Sequence, residues 1–176
     1  IEDKNLSKKL AEDINEMEKM LNEYLQFTSS SQIEKNEMFN LSELIEQAVV
    51  KYNNKNIHKD LIPRVYINGR KNLINRCLNN IIDNALKYAD KVQVTLDKQK
   101  TNLLITIDDD GPGISKKEYE NVFKPFYKID KSRADSKASV GLGLSIASDI
   151  IKSHGGNIIL EKSKMDGLRV KIFLPV

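Results

Sequence analysis

Two short glycine-bearing segments constrain this chain more than any other feature. Asp109-Asp110-Gly111-Pro112-Gly113-Ile114 closes an apolar run, and Gly141-Leu142-Gly143-Leu144 opens a helical pattern. Glycine permits sharp turns and a close approach of backbone to another group. Both segments therefore mark places where main chain, rather than side chain, meets whatever the fold binds. Upstream lies an asparagine-rich helix, with Asn80, Asn84, Lys87 and Tyr88 at helical spacing. Each part is weak alone; the three in this order are specific.

The flanking pattern supplies the scaffold. Leu10, Ile14, Met17, Leu21 and Tyr24 recur at spacings of four and three, with Leu6 extending the seam upstream. This is a heptad pattern, read as one long helix. It either packs as a surface helix on its own domain or pairs with another helix, in this chain or a second copy. Ser29-Ser30-Ser31-Gln32 interrupts it and reads as a linker, with a boundary near Lys35. A helix is predicted to start at Asn40, with Glu43 at capping-box spacing and Leu41, Leu44, Ile45 and Val49 on one face. Asn53 to Asp60 is polar and reads as a loop. Val65 to Ile67 reads as a short strand, followed by a helix from about Asn72 to Tyr88.

Val92 to Leu96 and Leu103 to Ile107 read as a hairpin across a polar turn at Lys98 to Thr101. Lys116 to Val122 is predicted as a short helix. From Lys124 to Val140 the chain is polar, basic and long for a bare connection, which suggests a functional lid. A helix follows from Gly141 to about His154, stopped by Gly155-Gly156. Asn157 to Glu161 and Leu168 to Leu174 read as closing strands around a turn at Asp166-Gly167.

Three segments carry chemistry. On the asparagine helix, Asn80, Asn84 and Lys87 share a face and Tyr88 borders it, while Leu78, Ile81, Ile82 and Ala85 suit a core. The amide oxygens are neutral hard ligands suited to Mg²⁺ that already carries water and phosphate oxygens. Lys87 can meet phosphate as a point charge. A plain solvated face is the alternative, against which stands the poor helix propensity of asparagine. At the first glycine segment, a carboxylate can only accept, so an aspartate facing the base there suits the exocyclic amino group of adenine and opposes the carbonyl of guanine. The competing reading is an ordinary acidic turn. At the second, a helix N-terminus offers free N–H donors to phosphate. Lys124, Lys128, Lys131, Arg133 and Lys137 add positive charge nearby, unless that loop is only a basic surface.

Composition narrows the field. The 176 residues suit one globular domain with a small additional element. A net charge of +3 is too small to argue for nucleic acid. The single cysteine, Cys77, excludes an internal disulfide framework and reads as a packing residue. No apolar stretch approaches the length of a membrane span, and no secretory signal is visible. The chain opens on Ile1 and is read as a fragment, so this says little about the parent. There is no P-loop motif, no full Gly-x-Gly-x-x-Gly and no protein-kinase signature. His58 reads as solvated and His154 lies at a helix end, where positive charge is favourable; both read as structural.

Taken together, the motifs resemble the ATP-binding half of bacterial sensor histidine kinases. Leu78 to Tyr88 resembles the family's asparagine box, and Asp109 to Ile114 its first glycine box. Val122-Phe123-Lys124-Pro125-Phe126-Tyr127-Lys128 resembles its phenylalanine box, and Gly141 to Leu144 its second glycine box. The resemblance implies an α+β, two-layer sandwich of the Bergerat type: a mixed sheet covered on one face by helices, preceded by a long N-terminal helix. It implies ATP and Mg²⁺ as cofactors. Asn84 would hold the metal, and Asn80 and Lys87 would face the phosphates. Tyr88 would border the nucleotide, Asp109 would receive the adenine amino group, and Ile114 would line the base pocket. Gly111, Gly113, Gly141, Leu142 and Gly143 complete the expected ATP-binding set, with Lys128 and Arg133 at lid positions.

Residues 1–35 are then expected to be part of the second helix of a dimerisation hairpin, and 36–176 the catalytic ATP-binding domain. The implied activity places the γ-phosphate for transfer to a histidine absent from this chain, and onward to an aspartate of a response-regulator receiver domain. This chain alone is not expected to phosphorylate itself. A homodimer through the hairpin is implied, with no nucleic acid partner. The domain is expected in the cytoplasm, its parent anchored in the inner membrane by segments outside this chain. A regulatory nucleotide-binding module, or an ATPase of the gyrase, mismatch-repair or heat-shock-chaperone kind, are the alternatives. Two departures stand out. Ser139 occupies a position where the family usually has glycine, and neither His58 nor His154 has the neighbourhood of a phospho-accepting histidine.

Overall fold

A computed structural model describes residues 34–52, 56–129 and 141–176, together with Leu10, Ala11, Ile14, Asn15, Met17, Glu18, Leu21, Asn22 and Leu25 of the first segment. Those nine positions are helical, and the apolar ones are half exposed or more. Leu6, Tyr24 and the expected linker at Ser29 to Gln32 lie outside the described residues.

Strand β1 (Glu37–Asn40) leads into helix α1 (Leu41–Val50). As the sequence predicts, the Asn40 side chain caps this helix, accepting from the N–H groups of Ser42 and Glu43. Glu43 returns a contact to the Asn40 amide rather than to its backbone, at 2.8 Å. Leu41, Leu44, Ile45 and Val49 are buried, so the capped helix turns its apolar face inward.

The stretch read as a loop is instead strand β2 (Asn56–Leu61), with residues 53–55 outside the described set. It runs parallel to β4 (Lys91–Lys98) at the edge of a five-stranded sheet. An edge strand over one covered face needs few apolar residues, and Ile57 and Leu61, opposite Val92 and Leu96, supply them. Its polar residues hide it from a periodicity reading. Lys59 instead pairs with Glu46 on α1.

Strand β3 (Tyr66–Gly69) pairs antiparallel with β1 in a separate two-stranded sheet. Helix α2 (Lys71–Tyr88), strand β5 (Asn102–Asp109), helix α3 (Gly143–Ser153), β6 (Asn157–Lys162) and β7 (Leu168–Pro175) complete the fold. The large sheet has order β2-β4-β5-β7-β6, with every pair antiparallel except β2–β4. It is a mixed sheet, as expected. Alternate residues Val92, Val94, Leu96, Leu103, Ile105, Ile107, Val170, Ile172 and Leu174 point to one face and are buried. Leu73, Ile74, Cys77, Leu78, Ile81 and Ile82 of α2 pack in the same core. Burying each such Leu or Ile contributes about 1.5–3 kcal/mol. The region expected as one short helix, Lys116 to Val122, is two 3₁₀ turns, Lys116–Glu118 and Asn121–Phe123.

Two contacts hold the far end of α2. Arg70 offers it no capping side chain. The Glu34 carboxylate does so instead, accepting from Asn72 N–H at 2.7 Å and Leu73 N–H at 3.2 Å. His154 accepts the Arg70 N–H through Nε2 at 3.0 Å, with Nδ1 placed 2.7 Å from the Ile150 carbonyl oxygen. That pair of partners needs the neutral ring with its proton on Nδ1. Burial holds the His154 pKa below its ordinary value, reinforced by Arg70 and opposed by the Ile150 carbonyl and Glu34. This corrects the expectation of a cation at the helix end.

Candidate functional site

Three segments far apart in sequence converge on the C-terminal half of α2. Asn80 and Asn84 are half-buried on that helix, one turn apart, and Lys87 and Tyr88 are exposed at its end. Asn80 Nδ2 donates to the Gly143 carbonyl at 3.3 Å, which fixes the start of α3 beside this flank. Among the described residues the half-buried Asn84 side chain makes no hydrogen bond. Lys87 Nζ lies 5.2 Å from the centre of the Tyr88 ring.

β5 delivers Asp109 to the other side. The residue is 7% exposed. Its Oδ1 accepts from Gly111 N–H at 2.9 Å and from Leu168 N–H at 3.0 Å. Both bonds fall on one oxygen, leaving Oδ2 as the acceptor to offer. Burial raises the Asp109 pKa above its usual value; the two N–H bonds work against this, and the charges of Asp110 and Asp108 add to it. Asp110 does different work: its Oδ1 takes the N–H groups of Asp90 and Lys91, at 2.9 and 2.8 Å, and ties the loop to the exit of α2. A Cβ on Gly111 would lie 2.8 Å from the Tyr88 carbonyl oxygen, so only glycine brings the loop this close. Ile114 is half-buried against the core. A cavity of about 520 Å³ opens here between Lys87, Tyr88, Asp110, Gly111 and Pro112.

The second glycine segment starts α3 at Gly143, two residues later than expected. Leu142 is the N-cap, and no side chain caps the helix. Leu142 is 2% exposed, so it presents only backbone to the cleft. Gly141 adopts φ 75°, and a Cβ there would sit 2.9 Å from the Tyr127 carbonyl oxygen. Phe126, itself at φ 64°, donates its N–H to the Gly141 carbonyl at 3.0 Å. The two ends of the lid connection are thereby pinned together. Lys128 is half-buried at its start, and Arg133, with Lys131 and Lys137, lies outside the described residues. Cys77 is buried, its thiol pushed up by burial, and is a packing residue.

The arrangement is a cleft with a carboxylate floor, a side-chain amide that makes no hydrogen bond among the described residues and an uncapped helix start. Residues 69–176 match the family described as histidine kinase-, DNA gyrase B-, and HSP90-like ATPase. The chain belongs to that family and carries an ATP-binding domain. Within it, the chain is 40% identical over 109 residues to sensor histidine kinase CpxA of Escherichia coli (strain K12), covering 61% of this chain and 24% of CpxA. It is 30% identical over 178 residues to sensor histidine kinase GtrS of Pseudomonas aeruginosa, covering 99% of this chain and 37% of GtrS. The catalytic domain of histidine kinase ThkA superposes with a TM-score of 0.71 at 26% identity, over 80% of this chain and 97% of that one. The domain is thus of the sensor-histidine-kinase type. The chain spans about a quarter to a third of the length of these curated relatives. No helix among the described residues is long and apolar enough to cross a membrane.

Proposed function

We propose that this chain is the part of a two-component sensor histidine kinase that binds Mg-ATP and presents its γ-phosphate to a histidine elsewhere in the parent. The observation that carries this reading is the Asp109 carboxylate, buried, fixed through one oxygen and open at the other. Adenine can donate to that oxygen, whereas guanine would set a carbonyl against it. Ile114 lines the base, Tyr88 borders it, and the glycines at 111 and 113 let the loop close on it.

Asn80, Lys87 and the uncapped start of α3 at Gly141, Leu142 and Gly143 face the triphosphate, and Lys128 and Arg133 are assigned to supply positive charge to it. Among the described residues no group of three or more His, Cys, Asp or Glu side chains could hold a metal ion unaided. Mg²⁺ would therefore come with the nucleotide, with the Asn84 amide as the protein's ligand, and would neutralise charge on the transferring phosphoryl group. What this chain contributes is positioning and charge stabilisation.

Residues 1–35 are proposed as one helix of a dimerisation hairpin, and 36–176 as the catalytic domain. The half-exposed Leu10, Ile14, Met17 and Leu21 favour pairing with a second helix over packing on their own domain. The acceptor is neither His58, exposed on β2, nor His154, whose ring nitrogens are both engaged. The phosphoryl group then passes to an aspartate on a response-regulator receiver domain. With γ-labelled ATP, this chain should remain unlabelled and should label the parent's histidine-bearing hairpin supplied in trans. Label on His58 or His154, or tight nucleotide binding without any transfer, would overturn the assignment in favour of a regulatory module.

A further inference from the structure

The turn between β6 and β7 is gripped by two adjacent aspartates from opposite faces of the sheet. On the outer face, Asp108 is 4% exposed and holds Arg169 through two bonds, Nε–Oδ1 at 2.8 Å and Nη2–Oδ2 at 2.9 Å. Asp108 also accepts from Ser163 Oγ at 2.8 Å. Ser163 in turn closes the turn, its N–H donating to the Gly167 carbonyl at 3.0 Å and its Oγ accepting from Met165 N–H at 3.0 Å. On the inner face, Leu168 N–H holds Asp109 Oδ1. Gly167 lies directly on the same carboxylate: a Cβ there would sit 2.1 Å from Asp109 Oδ1, 2.4 Å from Asp109 O and 2.6 Å from Gly111 N.

We propose that Gly167 is a specificity-determining positioning residue, whose missing side chain lets the β6–β7 turn clamp Asp109 so that Oδ2 alone meets the base. This rests on Asp109 reading adenine. Any side chain at 167 must displace the carboxylate, the Gly111 N–H or the turn, because rigid backbone and the acid itself are what it meets. Displacement rotates or withdraws the acceptor that favours adenine over guanine. The base contact is lost without removal of any group that touches nucleotide.

The test is calorimetric titration of wild type, Gly167→Ala and Asp109→Asn with Mg-ATP and Mg-GTP. Loss of stability alone would weaken both nucleotides in parallel. A positioning role instead lowers ATP affinity by about tenfold, the worth of a charged hydrogen bond, and leaves the weak GTP binding nearly unchanged. An unaltered ATP-to-GTP ratio in Gly167→Ala, with the ratio collapsed in Asp109→Asn, overturns the role of Gly167 alone. An unaltered ratio in both overturns the reading of Asp109 beneath it. Should Gly167→Ala fail to fold, the wild-type amide resonances of Gly111 and Leu168 decide. They are expected to titrate with one shared inflection that Asp109→Asn abolishes. A Leu168 amide that stays flat across that range contradicts the clamp.

Discussion

The base end of the cleft and its phosphate end hold their polar groups in different ways. At the base end one carboxylate is nearly buried, fixed by two backbone N–H groups, and packed under two glycines. At the phosphate end the donors are main-chain groups at an uncapped helix start, joined to a connection whose first lysines lie near the surface. The first arrangement fixes one acceptor and so can discriminate between purines. The second offers several equivalent donors, which suits a group that must be held, turned and released. On the proposed function, discrimination falls to the sheet, and handling of phosphate to the parts attached to it.

The largest effect is expected from Asp109→Asn. It should lower ATP affinity by about ten- to a hundredfold, from the 1.5–3 kcal/mol of a charged hydrogen bond. Stability should move the other way. The folded-state pKa of Asp109 lies above its unfolded value, so ionising it costs folding free energy as pH rises through that window. A neutral amide removes that cost, and thermal unfolding at neutral pH should show Asn no less stable than Asp. By the same sign, wild-type ATP affinity should fall as pH drops through the raised pKa, earlier than for an ordinary carboxylate, while the Asn variant stays flat. A drop in stability together with unchanged affinity would erase the contrast between the two ends.

A smaller and complementary effect is expected at Gly141. Alanine there faces a positive φ and the backbone of Phe126 and Tyr127, and should destabilise by about 1–3 kcal/mol. ATP affinity should fall a few-fold while adenosine affinity holds, since only the phosphate end is disturbed. Equal losses for adenosine and ATP would mean the two ends are not separable. Calorimetry on both ligands, alongside a melting curve, reads this directly.

Much of this was legible in the sequence, because it is written locally. The Asn40 cap, the β4–β5 hairpin, the face of α2 and the glycine stop after α3 each follow from residues within a few positions of one another. β2 was hidden because an edge strand carries its sheet pairing on a polar sequence, Asn56 to Leu61. The single helix expected at Lys116 is two 3₁₀ turns, each closed by short-range backbone bonds. Long-range contacts leave no local trace. Nothing near Glu34 announces that it caps α2, and nothing near Gly167 announces Asp109. Local pattern does not divide the labour between Asp109 and Asp110, since both precede the same glycine; only the family resemblance singles out Asp109. His154 is structural, as its sequence suggests, but its charge state is not legible there: a helix end favours a cation, while its neighbours, a donating N–H at Arg70 and an accepting carbonyl at Ile150, require a neutral ring.

The claim on which the rest depends is that adenine donates to the free oxygen of Asp109. A crystal structure of the chain with Mg²⁺ and a non-hydrolysable ATP analogue tests it most directly. The account predicts the exocyclic amino nitrogen at about 3 Å from Asp109 Oδ2, with Gly111 and Leu168 still donating to Oδ1. A base seated elsewhere, or one that meets Asp109 only through the oxygen already occupied by those two N–H groups, would contradict it.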